Sequence, residues 1–214
     1  MTAQQAWQQS SDPWQMLEWA QYHHRDAGRM YMNLPSLAQV TVRRLRLIAC
    51  ACVRTLWDVL CDQDRAIVIR AEQIADRGVT LGVFQGIEPL NPSPQQRLAF
   101  QLTRADYLSA LQVIVWAAAQ HNQLILPLYA DVFRNIIGDP WHPLRIDPVW
   151  RTDTVMTIAR GMDQQGDYSG PAFAQLWDAL VEAGAIDYRV QAHCSTDARH
   201  WRGDHLLDAL LEKS

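Results

Sequence analysis

The chain has 214 residues, of which 49% are hydrophobic and 20% charged, with a formal net charge of −4. This is the composition of a globular protein that can bury a core, and it excludes an intrinsically disordered chain. The slight negative charge gives no general attraction to nucleic acid or anionic membranes, so any such contact would need a local basic patch. Nine tryptophans are many for this length, and each is expected either in the core or at a surface for a partner.

Residues 1–10 are polar and rich in glutamine, and they lack the charged and apolar regions of a signal peptide. The longest strongly apolar run, Leu47–Val53, is far shorter than the roughly 20 residues that span a bilayer. Three of the cysteines lie in or beside this apolar stretch, which favours buried, reduced thiols over disulfides. The four cysteines are Cys50, Cys52, Cys61 and Cys194. We therefore expect a cytoplasmic protein without a membrane contact.

The first half of the chain carries clear helix signals. Ser11–Pro13 is typical of a helix start, because a capping side chain precedes a proline in the first turn. From Leu37 to Asp62 the apolar residues follow helical spacing, and within it Leu47–Val53 is apolar on all sides, which predicts a helix at the centre of the core. A third helix is predicted from Gln63 to Asp76, ended by Gly78.

Glycines and prolines are concentrated between residues 78 and 94, and they indicate a joint between two lobes, with a boundary near residues 85–95. Directly after the joint, Ser93–Gln96 combines a serine cap, a proline in the first turn and a glutamine at the capping-box position. Apolar residues then recur every three or four positions. The pattern predicts one long helix to about Gln120.

In the second half, three prolines between residues 138 and 150 rule out regular helix there. This segment should cross the surface in extended form, pinned by Trp141 and Trp150. Helices are predicted on both sides of it, over Leu124 to Ile137, Asp153 to Met162, Pro171 to Ala183, Asp187 to His193, and Asp204 to Glu212. Strand alternation is almost absent. The predicted fold is all-α, an irregular bundle of about seven to nine helices that forms a single compact unit with two lobes.

Several motifs together resemble a large paralogous family of helical bacterial proteins to which no activity is assigned. The motifs are Ser11-Asp12-Pro13 with Met16-Leu17, Arg44-Leu45-Arg46-Leu47, Ala49-Cys50-Ala51-Cys52 with Arg54 and Trp57, Asp147-Pro148 with Trp150, His193-Cys194, and His200 with Arg202-Gly203 and Leu206 to Leu211. Residues 78–122 match poorly, and the chain departs from the family at Val53, at Ala185 and at Asp204-His205, where the family favours cysteine or Cys-Trp. The resemblance implies a shared helical architecture and no activity.

Near the C-terminus lies the densest group of metal-binding residue types. These are His193, Cys194, His200 and His205. Structural zinc takes four nitrogen or sulfur ligands, but the spacing matches no paired zinc template. We expect caps and loop-fixing hydrogen bonds here instead, with Arg202 and Asp204 helping to lock the turn before the last helix, and we expect no cofactor.

One stretch concentrates positive charge. It contains Arg43, Arg44, Arg46 and Arg54. These side chains could contact nucleic-acid phosphates, with Trp57 nearby. Because the same helix is apolar on most sides, the competing expectation is that the arginines pair with acids such as Asp58 or Asp64.

Catalytic signatures are missing from the sequence: there is no phosphate loop, nucleophile elbow, H-E-x-x-H motif or dinucleotide fingerprint. Trp and Arg are the common energetic anchors of interfaces, and a proline-rich segment can present them rigidly. The candidate interaction residues are Trp141, His142, Arg145, Trp150 and Trp201. The competing hypothesis is that these tryptophans fold back over the core. The sequence favours a non-enzymatic interaction or regulatory module that binds another protein. The alternatives are a nucleic-acid factor that uses the helix from Arg43 to Arg54, and a metal protein or enzyme around His193, Cys194 and His200.

Overall fold

The computed structural model describes residues 3–16, 40–77, 93–104, 107–121, 123–195 and 199–213, and every regular element in these ranges is helical. The predicted all-α class is confirmed. The α-helices are α1 (Ala3–Gln9), α2 (Val42–Arg54), α3 (Asp62–Arg77), α4 (Pro94–Gln101), α5 (Tyr107–His121), α6 (Leu126–Ile137), α7 (Asp153–Gln165), α8 (Gly170–Glu182), α9 (Tyr188–His193) and α10 (His205–Leu210). Short 3-10 turns lie at Trp57–Val59, Gln123–Ile125 and Pro148–Trp150.

The chain forms two compact units, residues 1–134 and residues 135–214. The division falls within α6, between Arg134 and Asn135. The predicted boundary near residues 85–95 lies mostly outside the described residues, and the division between the compact units is at a different position in the chain.

In the first unit, α2 has the central place that its apolar pattern predicts. Every residue from Leu45 to Val53 is buried, and α2 packs against α3 and α5. The helix is shorter than the predicted Leu37 to Asp62, of which residues 37–39 are not described. It ends at Arg54, where the hydroxyl of Thr55 donates to the carbonyl of Cys52 at 2.7 Å. This side-chain bond offers the backbone an alternative to the next helical bond, and a 3-10 turn comes next in the chain.

The predicted long helix from Ser93 to Gln120 is divided into α4 and α5. Its start is confirmed, since the Ser93 hydroxyl and the Gln96 side chain form a reciprocal capping box. However, α4 ends at Gln101, and the hydroxyl of Thr103 donates to the carbonyl of Phe100 at 2.8 Å. Apolar spacing alone did not reveal this break, because the spacing continues in phase on both sides.

Helix α1 was not predicted, since residues 3–9 have a polar, glutamine-rich sequence. Its one large apolar side chain, Trp7, is buried, and the guanidinium of Arg134 donates to the Trp7 carbonyl at 3.2 Å. The helix start predicted at Ser11–Pro13 is confirmed for residues 13–16. The rest of that predicted helix lies outside the described residues.

The second unit contains α7 to α10, and α7 packs against both α8 and α10. Its core includes Val155, Phe173, Leu176, Leu180, Leu206 and Leu210. Polar side chains cap the helices at their N-termini: Thr152 for α7, Ser169 for α8, Asp187 for α9 and Asp204 for α10. After α8, Gly184 takes a φ of 87°, which favours glycine and stops the helix as predicted. The predicted starts of the four helices, at Asp153, Pro171, Asp187 and Asp204, each lie within one residue of the observed starts.

Candidate functional site

Asp204 lies at the centre of the polar interior of the second unit. As the N-cap of α10, its Oδ1 accepts hydrogen bonds from the backbone N–H groups of Leu206 at 3.0 Å and Leu207 at 3.2 Å. This is the ordinary task of a capping aspartate. The side chain is nevertheless fully buried, which is unusual for a carboxylate and requires further partners.

Those partners meet at the second oxygen, Oδ2. The amide nitrogen of Asn135 lies 2.6 Å from it, His193 Nε2 2.8 Å and His200 Nδ1 2.9 Å. Asn135 is in the last turn of α6, His193 is the last residue of α9, and His200 precedes α10. One carboxylate therefore joins three segments of the second unit.

The surroundings keep the Asp204 carboxylate ionised. Burial by itself would raise its pKa, but the charge and hydrogen bond of His193, the hydrogen bond of His200 and the charge of His205 outweigh burial and hold the pKa well below its ordinary value. Because an ionised carboxylate only accepts hydrogen bonds, His193 must carry a proton on Nε2 and His200 one on Nδ1.

Aromatic packing fixes the orientation of the imidazoles. The ring of Phe173 stacks on that of His200 with 3.5 Å between centroids and 9° between planes. His193 meets the same phenyl ring edge-on at 5.9 Å, and its centroid lies 4.3 Å from that of His205. The ring of His205 is held in turn by a contact of its own Nδ1, which lies 2.8 Å from the carbonyl oxygen of Asn135. The rings thus have little freedom to rotate away from Asp204.

The structure brings together part of the predicted metal group and adds a residue to it. His193, His200 and Asp204 each place one potential ligand atom within 4.8 Å of the others. Cys194 is buried beside them, and burial, followed by the charge of Asp204, raises the pKa of its thiol to about 12. The expected hydrogen bonds that fix the turn before α10 are confirmed. We refer to His193, His200 and Asp204 as the His-Asp cluster.

Sequence reasoning missed Asn135 and Phe173 as parts of this site. Besides its bond to Asp204, the amide nitrogen of Asn135 lies 3.3 Å from His200 Nδ1, and its Oδ1 accepts from the backbone N–H of Trp201 at 3.1 Å. Neither residue has a sequence signal, because each lies far from Asp204 along the chain and only the tertiary fold brings them together. Asp204 itself was named in the sequence analysis, as a residue that helps to lock the turn before the last helix.

The candidate interaction residues divide by exposure. His142 and Arg145 are exposed, whereas Trp141, Trp150 and Trp201 are half-buried. Trp150 packs against the core of the unit, and all three tryptophans keep part of their surface accessible.

The segment from residue 138 to 150, here called the proline segment, is fixed along its length. Asp139 Oδ1 accepts from the backbone N–H groups of Trp141 at 2.9 Å and His142 at 3.2 Å. Burial raises the pKa of Asp139, but these bonds and the side chain of His142 lower it further than burial raises it. Leu144, Ile146 and Trp150 pack against the core of the unit. These contacts therefore hold the backbone of the segment in a defined conformation.

Exposed apolar side chains lie at the start of α9. Ile186 is 92% exposed and Tyr188 is 76% exposed. The neighbouring Arg189 is paired with Asp187, which raises the pKa of its guanidinium, and the charge of Asp139 contributes to the same shift. Because such an effect of charge requires proximity, the start of α9 lies near the start of the proline segment.

The arginines proposed for nucleic acid are largely engaged inside the first unit. Arg43 forms an ion pair of 3.0 Å with Asp76, and Arg46 is only 6% exposed. Arg54 binds both oxygens of Glu72 and lies 4.4 Å above the ring of Trp57. Internal pairing is confirmed for Arg43 and Arg54. The expected partners Asp58 and Asp64 were wrong for these two arginines. Their partners are Asp76 and Glu72, which lie further along α3.

All four cysteines are free. Cys50 and Cys52 are buried as predicted, and Cys194 is buried too, but Cys61 is exposed, and its Sγ lies 3.1 Å from an Asp64 carboxylate oxygen. The correction is explained by the end of α2: Cys61 lies beyond the 3-10 turn, at the entry to α3, and not on the core helix.

No protein family, curated protein or solved structure matches the chain. The resemblance to the bacterial family therefore stays a prediction. Among the described helices, none combines the length and the apolar character that crossing a membrane requires.

Proposed function

We propose that the protein is a non-enzymatic helical module that binds another protein through the proline segment and the adjoining start of α9. The observation that supports this most directly is the combination of a fixed backbone with exposed contact groups. Asp139 and the core contacts hold the segment, while His142, Arg145 and Val149 remain exposed.

Prior order matters because association otherwise has to pay for immobilising loops and side chains. The half-buried tryptophans add large, rigid contact area next to the exposed groups, as in interface anchors elsewhere. At the far end of the segment, Arg151 pairs with Glu212 and donates to the carbonyl of Ala209 at 3.0 Å. This contact ties the segment to the C-terminal helix.

The His-Asp cluster serves this proposal as a support. It joins the end of α6, from which the proline segment departs, to α9 and α10, and Asn135 positions the backbone of Trp201. The proposed partner surface would thus be supported from inside the unit by the buried His-Asp cluster.

The nucleic-acid alternative has less support in the geometry. Phosphate binding needs exposed basic groups, whereas Arg43 is ion-paired with 11% side-chain exposure and Arg46 is buried.

The test is quantitative affinity capture from native lysate with the full-length protein. The double variant His142→Ala/Arg145→Ala removes two exposed groups of the segment, and Arg160→Ala, on the exposed side of α7, is the matched control. We expect wild type and Arg160→Ala to recover the same protein in similar amounts. The double variant should recover at least about tenfold less of it. Equal recovery by all three proteins would refute the proposal.

A further inference from the structure

We propose that the His-Asp cluster binds one divalent transition-metal ion, with Zn²⁺ as the best-suited ion, through His193 Nε2, His200 Nδ1 and Asp204 Oδ2. The three atoms lie within 4.8 Å of one another, and the side chains of His200 and Asp204 are fully buried while that of His193 is 16% exposed. This inference is independent of the proposed protein partner.

The donor types fit the ion. Two imidazole nitrogens and one carboxylate oxygen are ligands that zinc accepts in proteins, with bonds of about 2.0–2.2 Å. Such bonds place tetrahedral ligand atoms roughly 3.3 Å apart. The Asp204 oxygen already lies 2.8 and 2.9 Å from the two nitrogens, so the oxygen needs only a small outward shift. The two nitrogens must also approach each other, and His193, whose side chain is 16% exposed, is the less enclosed of the two histidines.

The surrounding contacts hold the proposed ligand groups in place. Oδ1 of Asp204 is fixed by the backbone N–H groups of Leu206 and Leu207, and Asn135 Nδ2 donates to Oδ2. Phe173 holds the His200 ring by stacking. Outer contacts of this kind orient ligands and raise metal affinity.

Charge also favours a cation. The Asp204 side chain is fully buried, and the groups that donate to it from Asn135 and the backbone are neutral. Zinc and the two imidazole protons compete for the same positions. Zinc binding therefore requires that the proton leave the nitrogen that faces Asp204, which leaves Nδ1 as the only protonated nitrogen of His193 and Nε2 as the only one of His200.

These two proton positions distinguish a metal site from a set of structural hydrogen bonds. The glutamine in His193→Gln can place an amide nitrogen near Nε2, and the asparagine in His200→Asn can place one near Nδ1. Each amide can still donate to Asp204, but an amide nitrogen is no zinc ligand. If the cluster were purely structural, these changes would not alter the affinity of the protein for zinc. His142→Gln, which alters an exposed histidine outside the cluster, is the matched control.

The experiment uses full-length protein freed of metal with a chelator and titrated with ZnCl₂ against a chromogenic competitor. We expect wild type and His142→Gln to bind one equivalent, and His193→Gln and His200→Asn to bind at least about 100-fold more weakly, with folding checked by circular dichroism. Absence of one-equivalent binding below about 100 μM by wild type, or equal affinity in the variants, would overturn the proposal.

A second measurement needs no variant and so does not depend on variant folding. Nitrogen-detected NMR of the wild-type imidazoles reports which ring nitrogen carries the proton. Zinc should move the proton of His193 to Nδ1 and that of His200 to Nε2. Unchanged tautomers at saturating zinc would likewise overturn the assignment.

Discussion

The side chain of Asn135 donates to the carboxylate of Asp204 across 2.6 Å, although 69 positions separate the two residues along the chain. The same asparagine accepts from the backbone of Trp201 with its Oδ1, and its carbonyl oxygen lies 2.8 Å from His205 Nδ1. Asn135 thus uses both the nitrogen and the oxygen of its side-chain amide, as Asp204 uses both of its carboxylate oxygens. Together the two residues hold the last turn of α6 to the start of α10.

Replacing the carboxylate should strongly destabilise the second unit. Asp204→Ala removes the cap of α10 and leaves the buried donors of Asn135, His193 and His200 without their acceptor. A lost cap costs about 1 kcal/mol and each unsatisfied buried donor about 1–3 kcal/mol. We expect a loss of at least about 4 kcal/mol in the free energy of unfolding, measured by urea denaturation.

The control for this variant is Asp147→Ala. Asp147 caps the 3-10 turn at Pro148–Trp150 through its exposed side chain and a single bond of 3.0 Å to the backbone N–H of Val149. It should cost no more than about 1 kcal/mol. Similar losses in both variants would mean that the buried partners of Asp204 contribute little.

Acid should weaken the same contact. The pKa of Asp204 is held well below that of an unfolded aspartate, which is about 3.9. Its contribution to stability is therefore complete above that value and is lost as the pH falls through the native pKa, at about 1.4 kcal/mol per unit of the shift. Between about pH 5 and pH 2, the stability of wild type should fall more steeply than that of Asp204→Asn in urea titrations. Parallel curves would show that the native and unfolded pKa values of Asp204 are alike.

The sequence predicted the helices of the second unit well because their ends are set by local chemistry. Thr152, Ser169, Asp187 and Asp204 each precede a helix and cap it, and such signals lie within about four residues of the bonds they make. Apolar periodicity was less informative in the first unit. It could not reveal that α4 and α5 are separate, because the apolar spacing continues across the end of α4, where the Thr103 hydroxyl donates to the carbonyl of Phe100.

The candidate site was only partly predictable for the same reason. His193 and His200 were identified by residue type, and Asp204 by its place in the turn before the last helix. The bond that completes the site comes from Asn135, and the ring that orients His200 comes from Phe173. A contact over such sequence distances depends on the packing of whole helices, and a single sequence carries no local trace of it. The same packing of whole helices buries Asp204. It also gives this capping residue three partners besides the backbone groups that it caps.

The Arg54–Glu72 pair in the first unit should respond unequally to loss of its two partners. The side chain of Glu72 is 3% exposed and that of Arg54 34%. Arg54→Met leaves a buried carboxylate without its counter-charge, whereas Glu72→Gln leaves a guanidinium that can still reach water. Breaking a buried pair costs about 3–5 kcal/mol, and partial exposure should reduce that. We expect Arg54→Met to lose about 1–2 kcal/mol more than Glu72→Gln in urea denaturation.

The matched control for the ion pair is Asp62→Asn. Asp62 pairs with Arg65 at 3.5 Å but is fully exposed, and such pairs contribute little that can be measured. Its variant should stay close to wild type. If Glu72→Gln proved the more costly change, the buried carboxylate would have to be satisfied by groups other than Arg54.

The four thiols should separate sharply in reactivity. The thiolate is the reactive form, and burial raises the pKa of Cys50, Cys52 and Cys194, so these three are both inaccessible and protonated. Cys61 alone is exposed. A disulfide reagent at about pH 8 should therefore modify one thiol of the native protein within minutes and all four in denaturant. Cys61→Ser should abolish the rapid reaction, while Cys194→Ser should leave it unchanged. Rapid loss of a second thiol in native protein would show that α2 or the end of α9 opens to solvent more readily than its packing implies, because a buried thiol reacts only through such opening.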